Sequence, residues 1–189
     1  MKIVFLGDIV GRPGRKLVKE LLPELVAKYA PDLTVVNGEN AAGGFGLTLE
    51  VAEELLANGA DVITLGNHTW KHREITHVFE RYKQILRPAN YPPGTPGESY
   101  GVFIARNGYP VGVLSLMGQV YLDPALDCPF RIGKEKVSLL KQKTPYVLVD
   151  FHAEATSEKI ALANYLDGLA SAVLGTHTHV ATADQRILP

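Results

Sequence analysis

The residues best suited to chemistry in this sequence follow short apolar segments. The segment "VFLGD" ends in Asp8, "VVNGEN" in Glu39 and Asn40, "ITLGNH" in Asn67 and His68, "VLVDFH" in Asp150 and His152, and "VLGTHTH" in His177 and His179. Carboxylates, amide oxygens and imidazoles together suit metals of intermediate hardness such as Mn, Fe or Zn. An all-oxygen set would suit Mg or Ca, and thiolates would suit structural Zn. The pattern therefore predicts a metal site with mixed ligands.

Six of these side chains could bind metal, which is more ligands than one ion needs: Asp8, Glu39, Asn67, His152, His177 and His179. This surplus suits two ions that share a bridging carboxylate. Two metal ions about 3.5–4 Å apart are the usual clamp for hydrolysis of phosphate esters. Two divalent ions, two carboxylates and one hydroxide leave roughly one net positive charge, which favours a phosphodiester anion.

Each residue also has an ordinary structural explanation when it is taken alone. Asp8 could cap a helix, Asn67 could belong to a turn, and His152 could be a hydrogen-bonded core histidine. Glu39 fits such explanations least, because a carboxylate at a core edge is costly unless it is paired or coordinated. The coincidence of five such segment ends favours a common site.

Strand-like and helical segments alternate in the first part of the chain. Strands are predicted at residues 2–7, 32–38 and 61–66, and helices at residues 14–29, 48–59 and within about 70–82. Four residues lie at helical spacing in the first helix: Leu17, Leu21, Leu25 and Tyr29. Pro23 should kink or split that helix, whereas Thr48 and Gly59 suit the two ends of the second.

The second part of the chain adds antiparallel character. Residues 87–99 and 117–130 are predicted to be loops, and the dipeptide Asn107-Gly108 between two apolar segments indicates a hairpin. A helix near 132–142, a strand at 146–151, a helix at about 156–168 and a strand at 171–175 follow. The order predicts one α/β layered domain with a mixed sheet or two packed sheets. Sites in such folds form at the carboxyl ends of the strands, where the polar residues fall.

Composition limits the classes of partner. The 189 residues are 46% hydrophobic and 21% charged, with a net charge of −1, so no broad positive field would hold nucleic acid or an anionic membrane. The single Cys128 excludes an intrachain disulfide, which fits a reducing compartment. No segment approaches the roughly 18 apolar residues of a spanning helix. We therefore expect a cytoplasmic protein without a membrane partner.

Five motifs together resemble the ordered blocks of the calcineurin-like metallophosphoesterase superfamily: "GDIVG", "NGEN", "GNH", the isolated His152 and "GTHTH". Four longer segments resemble the YmdB-type branch of that superfamily: "FLGDIVGRPGR", "VVNGENAAGGFG", "ITLGNHTW" and "LGTHTHVATAD". The resemblance implies a layered α/β/β/α fold with mixed sheets and 2′,3′-cyclic-nucleotide 2′-phosphodiesterase activity. Members of that branch are longer, so we expect residues 1–189 to form one such domain without its C-terminal strands.

The resemblance also implies a set of metal ligands. Seven residues would hold two ions: Asp8, His179 and Asn40 at the first, Asn67, His152 and His177 at the second, and Glu39 between them. Asn40 would replace the histidine that the superfamily usually has where this chain has Val10. Fe and Mn are the expected metals, with Zn and Mg as alternatives.

His68 is the expected catalytic residue, because it follows the ligand Asn67 without being needed as a ligand. A metal-bridging hydroxide would attack phosphorus, and His68 would stabilise the developing charge and protonate the leaving 2′-oxygen. A supporting role for His68 is the alternative. Phe45 and Trp70 could stack on a base or pack in the core.

Other functions remain compatible with the same ligands. One is a phosphatase acting on a different phosphate ester or on RNA ends, and another is a metal-binding regulatory module with little turnover. The hairpin offers a surface for a homo-oligomer. His177 and His179 would point to the same face of an extended segment, about 6–7 Å apart, and would thus serve different ions.

Overall fold

The computed structural model describes residues 1–124 and 126–189, in which eight strands form two four-stranded sheets. The first sheet contains β1 (Ile3–Leu6), β2 (Leu33–Asn37), β3 (Val62–Thr64) and β4 (Ile85–Leu86), all parallel and in chain order. The second contains β5 (Tyr100–Ile104), β6 (Pro110–Met117), β7 (Val147–His152) and β8 (Ala172–Thr176). In it, β5 and β6 are antiparallel and the remaining pairs are parallel.

Within the described ranges, five helices cover the outer faces of the two sheets. The first sheet packs against α1 (Gly11–Tyr29), α2 (Leu49–Ala57) and α3 (Ile75–Arg81), and the second against α4 (Pro129–Lys141) and α5 (Thr156–Tyr165). Because side chains alternate along a strand, Val36 and Ile63 face the helices, whereas Val35 and Val62 face the other sheet. The layered α/β/β/α fold is therefore confirmed, with one parallel and one mixed sheet.

Helix α1 differs from its sequence prediction in two ways. It starts at Gly11 and continues through Pro23 without splitting. Pro23 and Lys19, whose carbonyl loses its helical partner, are both exposed, so water can solvate that carbonyl. The buried face is formed by Val18 and Leu22, while the side chains of Leu17 and Leu21 are 54% and 46% exposed.

Local signals elsewhere behave as predicted. Thr48 caps α2 by accepting a hydrogen bond from the Val51 N–H at 3.3 Å, and Gly59 has a φ of 106° just beyond the helix. The hairpin between β5 and β6 turns at Gly108, whose φ is 84°. Among the described residues, no helix is both long and apolar enough to cross a bilayer.

Candidate metal centre

The predicted ligands meet where the carboxyl ends of the parallel strands of both sheets come together. They follow β1, β2, β3 and β8 or end β7, and comprise Asp8, Glu39, Asn40, Asn67, His152, His177 and His179. The backbone N–H of His177 donates to Oδ2 of Asp8 at 2.9 Å, which links the end of the second sheet to the end of the first. All seven predicted residues therefore lie in one region.

One group of ligands surrounds the buried ring of His152. Its Nε2 lies 3.1 Å from Oε1 of Glu39, 2.9 Å from Oδ1 of Asn67 and 3.0 Å from Nδ1 of His177. Glu39, His152 and His177 each offer an atom within 4.8 Å of the other two, an arrangement that could hold a metal ion. Glu39 and His152 are fully buried, whereas His177 is partly exposed.

A second group lies around Asp8, at the more open side of the centre. Its Oδ1 is 3.5 Å from Nε2 of His179 and 3.3 Å from Nδ2 of Asn40, and Asn40 Nδ2 is 3.2 Å from the same histidine nitrogen. The side chain of Asp8 is only 4% exposed, while that of His179 is 45% exposed. This group corresponds to the three ligands expected at the first ion.

His68 joins the two groups through Asn40 and Glu39. Its Nδ1 lies 2.7 Å from Oδ1 of Asn40 and 3.4 Å from Oε1 of Glu39, and its backbone N–H donates to Oε2 of Glu39 at 3.0 Å. The amide nitrogen of Asn40 thus faces Asp8 and His179. Metal ligation through its oxygen would require the amide to rotate by half a turn, after which the nitrogen would face His68.

The chemistry of the donors fits a bound cation. Oε1 of Glu39 is buried and has no hydrogen-bond partner within the described residues, since the approach of His152 lacks hydrogen-bond geometry. One Nε2 proton on His152 could satisfy only one of the three acceptors around it. Gly66 preserves the space, because a Cβ there would overlap the His152 ring and Oε2 of Glu39. Such convergence of lone pairs is costly unless a positive charge lies among them.

The charges of the buried groups shift their pKa values. Burial by itself raises the pKa of Glu39, but contact with His152 and the His68 N–H outweighs burial and lowers it. Burial by itself lowers the pKa of His152, but Glu39, Asp8 and Asp150 outweigh burial and raise it. Burial and the neighbouring His152 lower the pKa of His177. His177 thus more readily presents a neutral nitrogen, the form that binds metals.

Two groups outside the predicted set orient the histidine rings. Nε2 of His177 lies 2.9 Å from a carboxylate oxygen of Glu154, so Nδ1 is the atom that faces the centre. Nδ1 of His152 lies 3.0 Å from Oγ1 of Thr176, so Nε2 faces the centre. Outer partners of this kind fix the tautomer and orientation of metal-binding histidines.

Asp150 lies behind Thr176; it was grouped with the polar residues at the segment ends but was not among the predicted ligands. It is fully buried and accepts hydrogen bonds from Thr176 at 2.8 Å, from Asn37 at 2.9 Å and from Thr64 at 2.5 Å. Burial raises its pKa, and these three donors oppose that effect. A sequence signal exists, because Asn37, Thr64 and Asp150 are polar residues in largely apolar strand segments, and buried polar groups require partners.

The last block of ligands has a different backbone from the extended one expected. Strand β8 ends at Thr176, and His177 and His179 have φ values of 97° and 53°. The interpretation that they share one face of an extended segment is therefore wrong. Positive φ is unfavourable for residues with a Cβ by about 1–3 kcal/mol, and such strain concentrates at functional sites. The turn brings His177 towards Glu39 and His179 towards Asp8.

Several known proteins are similar to this chain in sequence and in fold. The chain matches the YmdB-like protein family over residues 4–189. It is 52% identical to the 2′,3′-cyclic-nucleotide 2′-phosphodiesterase of Bacillus subtilis, covering all of this chain and 71% of that protein. The structure superposes on a hypothetical protein from Thermus thermophilus with a TM-score of 0.92 and 46% identity, covering 100% of this chain and 72% of that one.

A second solved structure, of a novel phosphatase from Mycoplasma pneumoniae, gives a TM-score of 0.91 at 38% identity and covers 100% of this chain and 68% of that one. The Bacillus subtilis relative is named a phosphodiesterase and the Mycoplasma pneumoniae structure a phosphatase, and both names agree with the predicted hydrolysis of phosphate esters. The chain therefore belongs to the YmdB-like protein family.

Proposed function

We propose that this chain is a phosphodiesterase that hydrolyses 2′,3′-cyclic nucleotides or similar small phosphodiesters with two bound metal ions. The observation that carries the proposal is the convergence of possible metal-binding atoms from Glu39, His152 and His177 beside the partly exposed His68. Among them, Oε1 of Glu39 is buried and has no hydrogen-bond partner within the described residues. The activity named for the Bacillus subtilis relative supports the choice of substrate. We further propose that residues 1–189 form one catalytic domain.

The ligand roles follow from the two groups of side chains. Asp8, Asn40 and His179 would hold one ion, Asn67, His152 and His177 the other, and Glu39 would lie between them. Two divalent ions bound here would act as Lewis acids on a water nucleophile and on the phosphoryl oxygens. Fe or Mn suits this mixture of imidazole, amide and carboxylate, and Zn or Mg is the alternative.

His68 would act on the leaving group. Its Nδ1 is engaged by Asn40, so Nε2 is the nitrogen left to approach the substrate. His68 would transfer its Nε2 proton to the 2′-oxygen as the P–O bond breaks, which leaves a free 2′-hydroxyl and a 3′-phosphate. The side chain is 19% exposed, so a small substrate can reach it without unfolding the site.

One experiment tests the activity and its metal requirement together. The purified chain is freed of metal, reloaded separately with Mn²⁺, Fe²⁺, Zn²⁺ or Mg²⁺, and assayed on four substrates. These are 2′,3′-cyclic AMP, 3′,5′-cyclic AMP, a chromogenic diester and a chromogenic monoester. Metal-dependent hydrolysis of the 2′,3′-cyclic compound to the 3′-phosphate supports the proposal. Preference for the monoester would favour the phosphatase alternative, and no turnover with any metal would contradict both.

A further inference from the structure

An open cavity of about 490 Å³ lies beside the candidate centre. Its lining comes from the loop after β2 and the segment after β3: Ala42, Gly43, Phe45, Lys71 and His72. The side chain of Phe45 is 58% exposed, and its ring centroid is 5.0 Å from that of His68 at an interplanar angle of 77°. The cavity therefore opens next to the proposed proton donor.

Phe45 is held firmly although its ring is exposed. Its backbone N–H donates to the carbonyl of Ala42 at 3.2 Å, and its own carbonyl accepts from Nε2 of His72 at 2.8 Å. Gly46 follows with a φ of 75°, and a Cβ there would meet His72 and the backbone of His68. These contacts thus fix the loop to the segment that carries His68. The loop leaves the apolar ring of Phe45 largely exposed to solvent.

Trp70, the other aromatic residue near the centre, has a different environment. Its ring makes edge-to-face contacts with Phe79 and Tyr91, with centroids 5.8 Å apart in each case. These contacts give Trp70 a role in packing. Phe45 is 58% exposed and Trp70 is 37% exposed, so Phe45 offers the larger free surface of the two to a ligand.

We propose that Phe45 is the stacking platform for the nucleobase of the substrate. This inference rests on the phosphodiesterase function proposed above. A nucleobase offers a flat face to an aromatic ring, and such stacking tolerates any base. The ammonium group of Lys71 on the cavity wall supplies a donor for acceptor atoms on the edge of the base.

The test compares substrates with and without a base. The substrates are 2′,3′-cyclic AMP and the base-free 1-O-methylribose 2,3-cyclic phosphate, assayed with wild type, Phe45→Leu and Phe45→Trp. We expect Phe45→Leu to raise the KM for 2′,3′-cyclic AMP by about 10- to 100-fold, whereas Phe45→Trp retains a low KM. The wild-type KM for the base-free compound should be higher by a similar factor.

Tyr109→Leu is the matched control, because Tyr109 is 57% exposed but lies at the β5–β6 hairpin. It should leave both KM values unchanged. An oligoribonucleotide ending in a 2′,3′-cyclic phosphate presents the same terminal base. Comparison of the kcat/KM for the oligoribonucleotide with that for the mononucleotide shows whether an RNA end or a free nucleotide is the better substrate. An increase in KM for either substrate in Phe45→Leu supports the base subsite.

The outcomes separate this inference from the proposed function. If the wild type hydrolyses both small substrates with equal KM, or if Phe45→Leu behaves like wild type, the base subsite is refuted while the phosphodiesterase stands. If the metal-loaded wild type hydrolyses neither, the function fails and binding is measured directly by saturation-transfer NMR with 3′-AMP. Transfer to the base protons that Phe45→Leu abolishes would support the subsite, and absence of transfer would refute it.

Discussion

Nε2 of His152 and Oε1 of Glu39 lie 3.1 Å apart in a fully buried contact that lacks hydrogen-bond geometry. A buried carboxylate oxygen without a donor carries a large desolvation cost. Asn67 and His177 add two further acceptor atoms around the same nitrogen, so more lone pairs than protons converge there. A cation resolves this imbalance, which is why the contact is central to the proposed metal centre.

The role of His68 is tested by separating metal binding from turnover. His68→Ala removes the proposed proton donor and leaves the seven proposed ligands in place, so the variant should bind metal like wild type. We expect its kcat on 2′,3′-cyclic AMP to fall about 100- to 10,000-fold, the usual contribution of general acid catalysis. Loss should be smaller with a 4-nitrophenyl ester, whose leaving group needs no proton. Full turnover on the cyclic nucleotide would refute the assignment.

Asp150→Asn tests how the tautomer of His152 is set. Ionised Asp150 accepts the Thr176 hydroxyl proton, so Thr176 accepts from Nδ1–H of His152 and Nε2 carries its lone pair into the centre. In Asp150→Asn, an NH₂ group directed at Thr176 would turn its hydroxyl towards His152 and move the ring proton to Nε2. We expect metal affinity to fall about 10- to 100-fold.

The readouts for Asp150→Asn are a chelator-competition Kd and the ¹⁵N shifts of His152 in the metal-free protein. A metal-free readout separates ring orientation from catalysis. Asp167→Asn is the control, because Asp167 is exposed. Unchanged shifts and affinity in Asp150→Asn would show that Asp150 only stabilises the fold.

Metal binding should depend on pH through His152. The pKa of His152 is raised in the folded, metal-free protein. The protonated ring therefore stabilises the folded state fully at a pH below the pKa of His152 in the unfolded chain, and this stabilisation is lost as the pH rises through the pKa of His152 in the folded protein. Metal ligation needs Nε2 free of its proton. Metal affinity should therefore weaken on acidification below that folded pKa, by about tenfold per pH unit for one displaced proton.

Calorimetry in buffers with different ionisation enthalpies measures the protons released when metal binds. We expect release to increase as the pH is lowered towards the folded pKa of His152. His77→Ala is a suitable control, because the His77 side chain is 75% exposed and lies on α3. Metal affinity that is independent of pH would argue against ligation by a protonatable His152.

The location of the candidate site could be predicted from the sequence because parallel strands bring their carboxyl ends together. Asp8, Glu39 and Asn67 each follow a strand of the first sheet, and His152 and His177 lie at the ends of strands of the second. A local pattern of apolar segments was therefore sufficient to group residues that are far apart in the chain. The hydrogen bonds of Asp150 were not predictable in this way, because Asn37, Thr64 and Asp150 lie within strands and the sequence does not show how the two sheets face each other.

Helix α1 shows a different limit of sequence analysis. Two apolar rows, Leu17–Leu21 and Val18–Leu22, have the same helical spacing and differ by one position along the chain. Periodicity alone does not decide which row faces the sheet, and the structure buries Val18 and Leu22. Similarly, the spacing of His177 and His179 fitted an extended segment, whereas the positive φ of both depends on contacts such as that between the His177 N–H and Asp8.

The most direct test of the proposed two-metal centre is the metal-to-chain ratio of wild type and Glu39→Gln, measured by elemental analysis beside hydrolysis of 2′,3′-cyclic AMP. Glu39→Gln keeps the side-chain volume, and circular dichroism and Tm establish that it folds. A two-metal centre at these residues predicts two ions per wild-type chain, a lower ratio in Glu39→Gln, and a loss of hydrolysis in Glu39→Gln that exceeds the roughly 10- to 100-fold typical of outer partners. Metal-free wild type that hydrolyses the substrate at full rate, or Glu39→Gln that retains both ions and activity, would contradict it.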